Sequence, residues 1–383
     1  MNPLKEKIEE EIREQGPIPF SRYMELCLYD PDFGYYSRHD EKFGRAGDFY
    51  TSSDVHAVFG RLLARQFEEM WRILGSPRQL ELIELGSGRG LFAQDVLAWS
   101  EKKFPDLFSC LHYVLVERSP ALQQRIAENL KPHLESGRAI LKSEATRDSF
   151  DAAIPTIVFA NEFFDAFPVE IVGTHGSLRI ATSESRFTEL WEPASSDEMA
   201  FLDRYSVHPE GDERLEVALA AQQQLEQIAA GIGRGFVVVI DYGYTREEQL
   251  AGRHRGTLKA IRQHSISGNP DEAPGEQDIT ADVNFTALAA AAEKHGVRTH
   301  KLVTQSQFLL GIGEANQFAD AFEECRLPQE RAKVALQLKH LVTPAGMGER
   351  FHVMVSCKGI EQKAAESLSG LNFGRTQRMR EKI

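Results

Sequence analysis

The 383-residue chain is 42% hydrophobic and 26% charged, which is long for one domain and apolar enough to bury a large core. A formal charge of −13 argues against a general phosphate-binding surface, so no nucleic-acid partner is expected, and no segment is apolar for long enough to span a membrane. The four cysteines, Cys27, Cys110, Cys325 and Cys357, form no C-x-x-C pair, which indicates neither a zinc site nor a disulfide framework.

The opening stretch MNPLKEKIEEEIREQG is charged and helical in pattern. It carries acids that a transit peptide avoids and lacks the apolar run of a signal peptide, which predicts a cytoplasmic protein. Between residues 29 and 50 aromatics are dense (Tyr29, Phe33, Tyr35, Tyr36, Phe43, Phe49, Tyr50) among glycines and charges, with no helical stripe. That segment reads as a lid over a cleft or as ordinary packing of a cap. LELIELGSGRG predicts a buried strand over Leu80–Leu85, a glycine-rich turn and a helix over 91–100; LHYVLVERSPALQQRIAENL repeats the same unit. TIVFANEFFDAFP and GFVVVIDYGY add two buried strands. FTALAAAAEKHG predicts a helix with Asn284 as N-cap and Gly296 as its stop, followed by late strands in VRTHKLV and RFHVMVSCK.

Strands alternating with helices predict an α/β fold built on an open, mostly parallel sheet. Residues 1–78 fall outside that alternation and read as a helical and aromatic cap. A main domain then spans 79–360 with insertions at about 173–234 and 306–348, and 361–383 is a tail. There is no internal repeat and no low-complexity linker. Arg375, Arg378 and Arg380 in the tail read as a solvated end.

The sharpest local signal is IELGSGRG. Gly86, Gly88 and Gly90 permit a tight turn that brings backbone N–H groups to a ligand at a helix start. The dinucleotide fingerprint requires Gly or Ala where Leu91 stands, and no phosphate loop with its lysine is present. Instead Glu84 precedes the turn and Glu117 follows the strand YVLV. A carboxylate there accepts both ribose hydroxyls, and Glu84 suits an ammonium group, directly or through water. Both charges fit S-adenosyl-L-methionine, which has a ribose and an amino acid but no phosphate. The bland alternative is that the glycines serve helix–strand packing and Glu117 is an exposed turn residue. The carboxyl ends of such strands line one crevice, which places Asn161 and Glu162 of ANEFFD beside the same ligand rather than at an idle surface turn.

Those segments, together with GPIPFSRYMELCLYDPDFGYYS, GRAGDFYTSSDVHAVFG, GTLKAIRQH, PGEQDITADVNFTAL and PAGMGERFHVM, occur in an order that resembles the MidA-like family of class I methyltransferases over nearly the whole chain. That family includes mitochondrial complex I assembly factors that methylate arginine. Ser53 and Asp54 depart from its usual Pro-Glu after GDFYTS. The resemblance implies a seven-stranded Rossmann-like sheet with an antiparallel last strand, and S-adenosyl-L-methionine as methyl donor. It assigns Glu84, Gly86, Gly88, Gly90 and Glu117, with Asp48 and Thr51, to the cofactor, and Asn161, Glu162 and Asp165 to the acceptor. A protein substrate is implied, such as a respiratory-complex subunit.

Chemistry agrees with an arginine acceptor: a paired carboxylate orients a guanidinium bidentately, with Glu162 the first choice and Asn161 and Asp165 as orienting partners. Asp165 also fits a helix cap, and Asp278 and Asp282 fit either the same cleft or its support. Two other functions stay open, methylation of a small molecule and a non-catalytic assembly or binding role that retains the cofactor fold. The twelve histidines show no ligand spacing, so no metal is expected.

Overall fold

The computed structural model describes residues 2–37, 57–184, 186–262, 265–267, 269–344 and 346–373. Along its central sheet run β1 (Leu80–Leu85), β2 (Leu111–Val116), β3 (Ala139–Lys142), β4 (Thr156–Asn161), β5 (Gly235–Tyr244), β6 (Arg298–Thr299) and β7 (Phe351–Lys358). Their spatial order is β3-β2-β1-β4-β5-β7-β6, with β1 to β5 parallel and β7 antiparallel to β5. The α/β fold is as the alternation of strands and helices predicted, and the reversed last strand is as the family resemblance implied. VRTHKLV, however, is not one strand. Arg298–Thr299 and Val303–Thr304 pair separately with β7, and between them the His300 N–H donates to the Val355 carbonyl at 2.9 Å while its Nε2 lies 3.4 Å from Cys357 Sγ.

The principal helices are α1 (Pro3–Gln15), α2 (Phe20–Tyr29), α3 (Ala57–Ile73), α4 (Leu91–Lys103), α5 (Leu219–Gly231) and α6 (Phe285–Glu293). Side chains alternate across each strand, so a strand buried on both faces must be apolar on both. Leu82, Leu115, Phe159 and Val238 pack on one face against Phe67 of α3 and Phe92 of α4. Ile83, Val114, Val158 and Val237 pack on the other against Leu225 of α5 and Leu288 of α6. Phe92 stacks on Phe159 with ring centroids 4.5 Å apart, which fixes α4, and with it the glycine turn, over β4.

The first two helices belong to a different layer. Asn2 caps α1 by accepting from the Leu4 and Lys5 N–H groups, and Leu4, Ile8 and Ile12 are buried. Their core includes Tyr23 and Met24 of α2, Leu178 and Ile180 of the antiparallel strand Gly176–Ser183, and Ile279. Ile18 pairs with Ile180, so the N-terminal segment and the strands Glu170–Gly173, Gly176–Ser183, Arg186–Glu192 and Leu215–Val217 build one sheet. The helix α5, inside the expected first insertion, packs instead on the central sheet.

The later helices Gln305–Ala315 and Pro328–Val342 also join the central core, through Phe308, Ile312 and Leu341. All four cysteines are free, and among the described residues no helix is long and apolar enough to cross a membrane. Asp48, Thr51, Ser53, Asp54, Phe43, Phe49, Tyr50 and the tail arginines 375, 378 and 380 lie outside the described residues.

Candidate active site

Register places Leu85 opposite Val116 and Ala160, and Asn161 opposite Ile240, so the carboxyl ends of β1, β2, β4 and β5 share one edge. The turn after β1 is tied to the end of β2, since the Gly86 and Ser87 N–H groups both donate to the Val116 carbonyl, at 2.9 and 3.2 Å. Gly86, Gly88 and Gly90 all have left-handed backbone (φ 67°, 54° and 73°), where a side chain is strained. A Cβ on Gly86 would meet Phe163 Cδ2 at 2.8 Å, which puts the glycine turn directly against the loop after β4. A Cβ on Gly88 would meet nothing within 4 Å among the described residues, which leave that side of the turn open to a ligand.

Glu117 is buried, and its carboxylate accepts the Gly88 and Ser119 N–H groups, both at 2.9 Å. Burial pushes its pKa up to about 7 against those lowering hydrogen bonds. The carboxylate keeps acceptor capacity for a hydroxyl donor. Glu84 lies inside the apolar layer, where the Tyr113 hydroxyl donates to Oε2 at 2.7 Å, and burial moves its pKa up to about 8.

The loop after β4 carries the other predicted residues. Glu162 has φ 49°, a left-handed conformation uncommon for a non-glycine residue. Its N–H donates to the Ile240 carbonyl at 3.0 Å, and Asn161 Nδ2 donates to its Oε1 at 3.1 Å. Asn161 Oδ1 is buried with no hydrogen-bond partner among the described residues. Asp165 is buried, and its pKa is raised to about 7 by burial and then by the charges of Asp278 and Asp282.

Sequence reasoning missed the residue that organises this loop. Asp241, fully buried in β5, accepts the N–H groups of Phe163, Phe164 and Asp165 on Oδ2 at 3.2, 3.0 and 3.3 Å. Its Oδ1 accepts the Tyr242 N–H at 2.9 Å. Burial beside Asp165 and Glu162 raises its pKa, while its backbone donors favour the anion. Tyr36 was noticed only as one aromatic among many. Its hydroxyl donates to Asp278 Oδ1 at 2.9 Å, and its carbonyl accepts from Ser119 Oγ at 2.8 Å. Tyr29 donates to the Ala166 carbonyl at 2.9 Å and stacks on Tyr36. The described part of the aromatic segment therefore joins the cofactor-side turn to the acidic loop. Among the described residues no three His, Cys, Asp or Glu side chains gather as metal ligands.

Residues 62–303 match the S-adenosyl-L-methionine-dependent methyltransferase family Methyltransf_28. The chain belongs to this family. A mitochondrial Drosophila melanogaster protein named as a protein arginine methyltransferase, NDUFAF7 homolog, is 32% identical over 93% of this chain and 85% of its own. The Homo sapiens protein of that name is 27% identical over 92% and 82%. A structure from Burkholderia thailandensis bound to S-adenosyl-homocysteine is 29% identical, covers 96% of this chain and 94% of its own, and superposes with a TM-score of 0.81. This methyltransferase uses S-adenosyl-L-methionine, and the open glycine turn and the Glu117 carboxylate fit that ligand.

The cytoplasmic expectation is corrected by the same relatives, whose names place them in mitochondria. It rested on the acids and short apolar content of the first sixteen residues. Those features belong to α1, whose buried Leu4, Ile8 and Ile12 make it part of the fold, so they report packing and not compartment.

The raised carboxyls set a pH dependence. If Glu117 meets the ribose and Glu84 the ammonium, as the sequence predicts, binding favours their anions and releases protons. Affinity for S-adenosyl-homocysteine should rise from about pH 6 to about pH 8, by about tenfold for a group at pKa about 7. Calorimetry in buffers of different ionisation enthalpy reads the proton release. By the same linkage the free fold is favoured below pH 4.5, the ordinary value for these groups, and loses that contribution as pH rises towards about 8.

Proposed function

We propose that this methyltransferase modifies an arginine side chain of a protein substrate. The observation that carries the reading is the convergence of carboxylates at one sheet edge. Asp165 feels the charges of Asp278 and Asp282, and Asp241 feels those of Asp165 and Glu162, beside the turn that faces the donor. Burial and mutual repulsion disfavour the anions of these carboxyls, so a bound cation stabilises them, and a guanidinium supplies planar N–H donors. The relatives named as protein arginine methyltransferases support the same acceptor.

In this reading Glu117 takes the ribose hydroxyls, Glu84 favours the ammonium end, and Gly86, Gly88 and Gly90 keep the turn close to the ligand. When bound, S-adenosyl-L-methionine supplies an electrophilic methyl group on a sulfonium. Glu162 orients the acceptor nitrogen towards it, held by the Asn161 amide at 3.1 Å. Asp165, with its pKa at about 7, is matched to taking the proton that the nitrogen releases.

Glu117→Ala should weaken S-adenosyl-homocysteine binding by about ten- to a hundredfold, since loss of a charged acceptor costs about 1.5–3 kcal/mol. Unchanged calorimetric affinity in a folded variant would remove the ribose role. The acceptor class is tested by incubating the protein and methyl-labelled S-adenosyl-L-methionine with lysate of a strain lacking it. Label that is macromolecular and released by protease supports a protein acceptor. Label in the small-molecule fraction favours the small-molecule alternative, and no transfer favours a non-catalytic role.

A further inference from the structure

Asp282 faces two ways. The Ala281 N–H, next to it in the chain, donates to the Asp165 carbonyl at 3.0 Å, so the Asp282 charge bears on Asp165, while its own oxygens are held from the other side by a lysine ammonium and a histidine ring nitrogen. Lys259 Nζ lies 2.8 Å from Oδ1, and His254 Nδ1 lies 3.2 Å from Oδ2. The Asp282 N–H donates to Thr257 Oγ1 at 3.0 Å.

The segment that brings these groups in is firmly built. Glu216, buried on the strand Leu215–Val217, accepts the Thr257 and Leu258 N–H groups at 2.6 and 2.8 Å. His254 adopts a left-handed backbone (φ 54°), and its carbonyl accepts from Gln249 Nε2 at 3.1 Å. Its ring stacks on that of Tyr244 at 5.3 Å and 19°. Histidine is one of the residues that tolerate this conformation, and the fully buried Gln249 and the Tyr244 ring hold its carbonyl and its ring in place.

We propose that Lys259 and His254 are positioning residues for methyl transfer: by holding Asp282 they offset the negative charge it presents to Asp165, and so leave Asp165 able to accept the acceptor's proton. This rests on the acceptor reading given above. The groups facing Asp165 are otherwise Asp278 from the strand Asp278–Thr280, Asp241 and Tyr242 from β5, and Tyr29 and Tyr36 from the N-terminal layer. Those facing Asp282 are Lys259, His254, Glu216, Tyr244 and His352. Among all of these only Lys259, His254 and His352 have a cationic form, and burial lowers the pKa of His352 and so favours its neutral ring.

Two interacting carboxyls lose their protons in macroscopic steps that belong to the pair. Removing the lysine charge makes the second ionisation harder, and removing the Asp282 charge makes Asp165 ionise earlier. The variants therefore move Asp165 in opposite directions, which a general loss of packing would not do.

The test is a carboxyl-carbon NMR titration of aspartate-labelled protein saturated with S-adenosyl-homocysteine, with Asp165 assigned from Asp165→Asn. It needs no acceptor. Lys259→Met should raise the Asp165 midpoint by about half to one pH unit, Asp282→Asn should lower it, and Lys259→Arg should leave it in place. Shifts of the same sign in the first two, or no shift in either, overturn the proposal. The acid limb of the pH profile of kcat/KM, read on the acceptor found by labelling, should follow the same order; a limb that ignores the NMR shifts also overturns it. Titrations that obey the order while the label falls on a residue other than arginine count against the arginine reading alone.

Discussion

Glu162→Gln should cut single-turnover methyl transfer by about a hundredfold or more while leaving S-adenosyl-homocysteine affinity within about twofold of wild type. The amide keeps the shape of the side chain and can still lie beside Asn161, but it loses the charge that steadies a guanidinium as positive charge shifts in the reaction. Because the contact belongs to the acceptor and strengthens in the transition state, the loss should fall on turnover more than on binding. The left-handed backbone at this residue stays as it is, so a melting temperature close to wild type is part of the expectation. Glu170, later in the same stretch, is an unsuitable control because it accepts from Ser21 Oγ at 2.5 Å and ties the N-terminal layer to the antiparallel strands. Glu128, exposed on a surface helix beside Arg125, is the better one, and Glu128→Gln should be close to silent. A Glu162→Gln enzyme as active as wild type would return the Asn161–Glu162 turn to a structural role.

Asp241→Ala should be the most damaging single change to stability at the site, by about 3–5 kcal/mol. It strips the acceptor from the Phe163, Phe164, Asp165 and Tyr242 N–H groups in a place without solvent to replace it. It also removes the anchor that holds the loop bearing Glu162 and Asp165. Urea unfolding should show a lower midpoint, and saturating S-adenosyl-homocysteine should recover only part of it, because in the proposed reading the ribose meets Glu117 and not the damaged loop. A variant with wild-type stability would mean that the loop is held by its phenylalanines alone.

The difference between these two residues shows what the sequence made legible. The places of Gly86, Gly88, Gly90 and Glu117 could be read because a strand, a tight turn and a helix start are local. The place of Asn161 and Glu162 at the sheet edge was readable because polar residues that close a buried strand need a reason. Asp241 carried a comparable signal, an acid closing the run FVVVI, but its meaning depends on which strand lies beside it. Only the register of Asn161 opposite Ile240 turns that acid into the anchor of a neighbouring loop.

Tyr36 and Asp278 were further out of reach. Their hydrogen bond joins residues 242 positions apart, between the turn Tyr35–Ser37 and the strand Asp278–Thr280, which pairs with Lys259–Arg262. Periodicity gives no hint of such a pairing. The compartment failed for a related reason, since a short charged helix at the start of a chain looks the same whether it packs into the fold or not.

The central claim is that the carboxylate edge presents a guanidinium to the methyl donor. It is tested most directly by acid hydrolysis of the protein fraction labelled from methyl-tritiated S-adenosyl-L-methionine, followed by separation of the amino acids. The predicted result is label in methylated arginine, present with wild-type enzyme and reduced by about a hundredfold in initial rate with Glu162→Gln. Label in methyl-lysine, in methyl-histidine, or in a base-labile carboxyl ester would contradict it.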